Sequence, residues 1–191
     1  MRRVGALAAT ALLTGCPESC LIQRTRPLST EPPAVLKPAT PQAPIESAAP
    51  PAPQHPGKGT FGESIEFLGY DTEPANPRAG RPVVVTFYFH VLKPVSNDWM
   101  IFVHVDDRTG ANQRINGDHY PASGQLHTPQ WKAGSYVADR FVIDPPQSES
   151  KSQVDLWMGF YQGDTRLPIS NPKDCVNDGN DRLLAGTLDL L

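Results

Sequence analysis

Val83-Val84-Val85-Thr86-Phe87-Tyr88-Phe89-His90-Val91 decides the fold of this 191-residue chain. Val83, Val85, Phe87, Phe89 and Val91 share one side at a period of two. Val84, Thr86, Tyr88 and His90 share the other. One uniformly apolar face beside one mixed face is the pattern of a strand lying on a core. That strand spans about 82–92. Outward from it, similar short runs bounded by Gly, Pro, Asn and Asp recur near 64–71, 98–106, 113–119, 135–143, 153–162 and 183–190. No window of helix length carries an apolar stripe at 3.6-residue spacing. Asp107-Arg108-Thr109-Gly110 and Asp178-Gly179-Asn180-Asp181 read as turns, with Gly supplying positive φ. Seven such strands predict an all-β domain over residues 59–191, an immunoglobulin-like antiparallel β-sandwich. Its 133 residues suffice for an independent core.

Upstream the composition changes. Eleven of the 21 prolines fall in residues 17–58, among Ala, Thr, Ser and Gln. Without apolar periodicity this stretch has little surface to bury against the entropy of ordering, and it reads as a disordered, Pro-rich linker. Fully extended, it reaches on the order of 100 Å. Still earlier, Arg2 and Arg3 precede the ten-residue apolar run Val4–Leu13. A membrane-spanning helix takes about 20 apolar residues, so this run has the length of a signal-peptide core instead. It ends in Leu13-Thr14-Gly15-Cys16, which resembles the lipobox of bacterial lipoproteins. The resemblance implies a signal peptide over 1–15, cleavage before Cys16 and a diacylglyceryl group on its thiol. The lipidated N-terminus and linker then cover 16–58. Pro17, where enterobacterial inner-membrane lipoproteins carry Asp, favours the outer membrane over the inner.

Charge and cysteine content exclude several classes. The formal charge is −3, and loss of Arg2 and Arg3 with the signal leaves 15 basic against 20 acidic residues, or −5. An acidic chain does not suit a nucleic-acid partner, which needs a basic face to displace counterions. Three cysteines are too few for a disulfide scaffold or a Cys-rich metal cluster. Cys20 and Cys175 are expected to stay unpaired with each other, because a bond would pull the domain down beside its anchor.

Within the domain, Phe102-Val103-His104-Val105-Asp106-Asp107, Trp131-Lys132-Ala133-Gly134 and Asp139 stand in a pattern with Gly159-Phe160-Tyr161, Arg166-Leu167-Pro168 and Asp181–Thr187. The pattern is similar to the extracytoplasmic C-terminal domain of some membrane-embedded bacterial glycosyltransferases. That resemblance implies a β-sandwich accessory module associated with carbohydrate, and it carries over no catalytic residue.

There is no Gly-rich phosphate loop, HExxH or CxxC pair. Ser123 in Pro-Ala-Ser-Gly lacks the first Gly of a nucleophile elbow. His104 and His119 flank a turn with Asp106 and Asp118 nearby, so a metal site competes with plain strand-edge histidines. Asp174, Asn177, Asp178, Asn180 and Asp181 suggest Ca²⁺, but Val176 would occupy a ligand position and an Asx-rich turn is the better reading. No cofactor is expected. Trp131 is expected to plug one end of the sandwich, Gly134 to turn into the next strand, and inward Asp139 to brace amides of a neighbouring turn. Alternation leaves Phe102, His104, Trp157 and Tyr161 outward on two strands that are neighbours in an immunoglobulin-like order. They form the candidate ligand face, unless the 107–130 loop covers it. The expected function is a non-enzymatic, lipid-anchored binding or assembly module whose partner is a glycan or an envelope protein. The alternatives are a structural accessory subunit of an envelope complex and a hydrolase of unrecognised type.

Overall fold

The computed structural model describes residues 45–110, 112, 114–147 and 152–191. Its strands are β1 (Glu46–Ser47), β2 (His55–Pro56), β3 (Thr60–Phe61), β4 (Ile65–Glu73), β5 (Val83–Val91) and β6 (Met100–Asp107). They continue with β7 (Ile115–Asn116), β8 (Tyr136–Ile143), β9 (Ser152–Gln162), β10 (Thr165–Arg166) and β11 (Leu183–Leu190). One antiparallel sheet runs β1-β8-β5-β4-β2, with β3 also on β4. The other runs β7-β6-β9, with β10 and β11 both on the remaining edge of β9. Among the long strands, β4, β5 and β8 share one sheet and β6, β9 and β11 the other. This is the A-B-E and C-F-G division of the immunoglobulin-like sandwich.

The alternation of β5 is realised fully: Val83, Val85, Phe87, Phe89 and Val91 are all 0% exposed. Their partners come from the inner faces of β6 and β9, where Ile101, Val103, Leu156, Met158 and Phe160 are buried. Phe89 meets Phe160 across the sandwich at 5.4 Å, in the tilted edge-on arrangement that aromatic quadrupoles favour. Trp131 closes this cluster, 5.8 Å from Phe89 and 6.2 Å from Phe160, and its indole N–H donates to the Leu126 carbonyl. It thus touches both sheets.

Two expectations need correction. The strand drawn over 113–119 contracts to β7 and an isolated bridge between His119 and Ile101. Asp118 is the cause: its carboxylate takes the Val103 amide where a backbone carbonyl would otherwise continue the ladder. The sandwich also begins before residue 59. Ile45 accepts from the Ala138 amide, β1 pairs with the edge of β8, and β2 pairs with β4. Residues 45–58, read as linker from their prolines, form a strap across the outer face of the first sheet. Proline is compatible with this because both pairings are two-residue edge pairings.

Candidate functional site

The register of β6 against β9 sets Met100 opposite Tyr161, Phe102 opposite Gly159 and His104 opposite Trp157. Inner residues alternate with these, so Phe102, His104, Trp157 and Tyr161 lie together on the outer face. The sequence pattern leaves this face open, but distant arginines cover much of it. Phe102 is only 3% exposed. It lies on Gly159, where a Cβ would come within 2.4 Å of its ring, and under the guanidinium of Arg166 at 4.9 Å. Arg182 lies 4.5 Å from the Trp157 ring centroid. His104, Trp157 and Tyr161 remain half-buried.

The cover is electrostatically organised. Arg182 donates to Asp178 at 3.0 Å and to Asp106 at 3.2 Å, and also approaches His104. Arg114 donates to Asp106 through Nε at 2.6 Å. Burial raises the Asp106 pKa, but these two arginines outweigh it and hold the carboxyl below its usual range. A guanidinium over an aromatic face gains quadrupole attraction while its N–H groups bind carboxylates in the plane. Burial, then the Arg114 charge, lowers the His104 pKa and so favours the neutral ring.

Beside this cover opens a cleft of about 250 Å³ lined by Phe102, His104, Asp118, Tyr161, Asp164 and Arg166. Burial, then the nearby Asp118 carboxylate, raises the Tyr161 pKa. The cleft thus combines an aromatic ring, two carboxylates and a guanidinium. These groups suit recognition of hydroxyl or amide groups on a ligand rather than covalent chemistry. Arg166 and Arg182 are the residues that sequence reasoning missed. Both stand in motifs that carry the carbohydrate-module resemblance, yet nothing in their spacing places them over Phe102 and Trp157.

Asp139 faces inward, 0% exposed, and accepts the Ala122 amide at 2.8 Å. That turn is strained, with Ala122 and Ser123 at φ 52° and 54°. Asp139 also pairs with His119 Nε2 at 2.9 Å. His119 Nδ1 faces the Gly117 carbonyl at 2.6 Å. Both ring nitrogens are engaged, so His119 has none left to activate Ser123. Gly134 has φ 84° and donates to the Val91 carbonyl, setting the turn into β8.

In both clusters weighed for a metal, the side chains have other partners. His119 turns to Asp139 and His104 to Arg182. In the 177–181 turn, Asn177 and Asp178 accept the amides of Gly179 and Asn180, while Asp181 accepts that of Ile169. Among the described residues no group of three or more His, Cys, Asp or Glu side chains could hold a metal ion. Cys175 is a free, half-buried thiol whose pKa burial raises. Cys16 and Cys20 lie outside the described residues. The sequence matches no protein-family model, and no curated protein is significantly similar to it.

Proposed function

We propose that this chain is a non-enzymatic binding module, lipid-anchored to the bacterial cell envelope through Cys16. Its ligand, a glycan or an envelope protein, meets the outer face of β6 and β9. The observation that carries this reading is the cleft where Tyr161, Asp118, Asp164 and Arg166 converge beside the covered aromatic floor. Sugar hydroxyls and peptide groups both suit paired carboxylate acceptors next to guanidinium donors. The engagement of both His119 nitrogens speaks against a Ser123–His119 catalytic pair. The lipobox supports the anchor, and Pro17 supports the outer membrane. No helix among the described residues is long and apolar enough to cross a membrane. The net negative charge speaks against nucleic acid.

A second reading, an accessory subunit that docks without a small ligand, is favoured by the burial of Phe102 beneath Arg166. Glycan-array binding and co-purification from native envelope, each with wild type, Tyr161→Ala and Arg166→Ala, test both. Capture of a glycan or a single stoichiometric protein that both substitutions abolish is the expected result. Capture indifferent to both would move the interface elsewhere.

A further inference from the structure

The outer face of β6 and β9 runs further than its cleft. The antiparallel bridge between Ile101 and His119 sets Tyr120 beside Met100, and Met100 stands opposite Tyr161 in the β6–β9 register. Tyr120 has φ −75° and ψ 142°, so it continues the alternation of an extended chain. Its side chain therefore shares the outer face with Tyr161, two strands away, or roughly 10 Å at ordinary strand spacing. Tyr120 is 40% exposed, and every other Phe, Tyr and Trp among the described residues is buried or half-buried. The exposed ring is held in place. It packs on the His127 imidazole at 4.8 Å, and His127 Nδ1 meets the two oxygens of Asp98 at 2.8 and 3.0 Å. The turn that follows is stiff as well. Ala122, Ser123 and Gly124 are all left-handed, at φ 52°, 54° and 77°, and the Gly124 amide donates to the Tyr120 carbonyl. Backbone strain of this kind persists only where the surroundings over-determine it, and here buried Asp139 holds the Ala122 amide.

We infer that the ligand of this face is an oligosaccharide, and that Tyr120 with His127 forms a second sugar subsite beside the Tyr161 cleft. The inference rests on the binding reading proposed above, and it chooses the glycan over the protein. The reason is a repeat in the surface. Tyr161 stands by Asp118, and Tyr120 stands by His127 and Asp98. Each unit offers an aromatic face with a hydrogen-bonding group at its rim. A sugar ring presents the complement, an apolar C–H face with hydroxyls around its edge. Two such units, two strands apart, exceed what one sugar ring covers. With its Nδ1 proton donated to Asp98, the neutral His127 ring has Nε2 as an acceptor, and Nε2 makes no hydrogen bond among the described residues. A peptide that adds as a strand needs an unpaired sheet edge, and this edge of β6 is already taken by β7 and the His119 bridge.

A glycan array read with the full chain names the series bound, and its members of one to four sugar residues are then titrated against wild type and variants. Two subsites on a fixed platform act intramolecularly, so members longer than the monosaccharide should bind wild type about 10-fold more tightly than it does. Tyr120→Ala should erase that gain and leave the monosaccharide affinity unchanged, while Tyr120→Phe should keep the gain. Tyr161→Ala should weaken every length. Melting of each variant reports folding alongside. An equal loss at every length on Tyr120→Ala overturns the second subsite, and so does a gain with length that survives it. An array without a hit overturns the oligosaccharide, while a stoichiometric envelope protein lost on Tyr161→Ala would then keep the binding face itself. Capture indifferent to both Tyr161→Ala and Arg166→Ala sinks that face and this inference together.

Discussion

His119 and Asp139 tie the two sheets together: the buried carboxylate of β8 receives Nε2 at 2.9 Å, while His119 bridges to Ile101 of β6. With Nδ1 on the Gly117 carbonyl, both nitrogens face acceptors, an arrangement that favours the doubly protonated ring. Removing one partner of such a pair leaves the other buried and uncompensated. Asp139→Ala also strands the Ala122 amide, so it should cost about 3–5 kcal/mol in urea unfolding. A loss under about 1 kcal/mol would show that the pair is not a structural tie.

The same pair makes stability depend on pH. Burial lowers the His119 pKa, but Asp139 and the Gly117 carbonyl outweigh it, so the folded pKa lies above the ordinary value. The folded state then holds its proton more tightly than the unfolded state. Its contribution is fully present below about pH 6.5 and fades as pH rises through the raised folded value. The stability gap between wild type and His119→Asn should therefore shrink from pH 6 to pH 9. A gap that widens over that range contradicts the charged-histidine assignment.

Gly159 is a site where the outer face of β6 and β9 tolerates no side chain. An added Cβ would meet the Phe102 ring at 2.4 Å and the Asp181 carbonyl oxygen at 2.8 Å. Gly159→Ala should destabilise by about 1–3 kcal/mol and push Phe102 out from under Arg166. Unfolding curves together with an increased exposure of Phe102 check this. Neutral behaviour would mean that the ring moves freely.

Limited proteolysis with a broad-specificity protease should leave a resistant fragment that begins near residue 45 rather than near residue 60. The β1 and β2 pairings and the Gln54–Asp71 bond protect that stretch. Rapid trimming to residue 59 would show that the strap is detached most of the time.

What was legible in the sequence follows from the range of the interactions. The β5 alternation, the neighbouring placement of β6 and β9 and the inward turn of Asp139 are local or pairwise patterns, and periodicity reports them. The strap was not legible, because Pro50, Pro51, Pro53 and Pro56 mask a segment held by its edges rather than by apolar period. The arginine cover was not legible either. Arg182 reaches Asp106 from 76 positions away, and Arg166 reaches Phe102 from another strand. The histidine partner of Asp139 depends on a bridge that only the folded register creates.

The proposed lipid anchor is tested at Cys16. Stable attachment takes more than one acyl chain, since each buried CH₂ contributes only about 0.8 kcal/mol, and a diacylglyceryl group with an amide-linked chain meets that need. Mass spectrometry of the protein purified from native envelope tests it. The expected result is a mature chain whose first residue is an acylated Cys16; a mature chain starting elsewhere, with Cys16 unmodified or lost with the signal, contradicts the anchor.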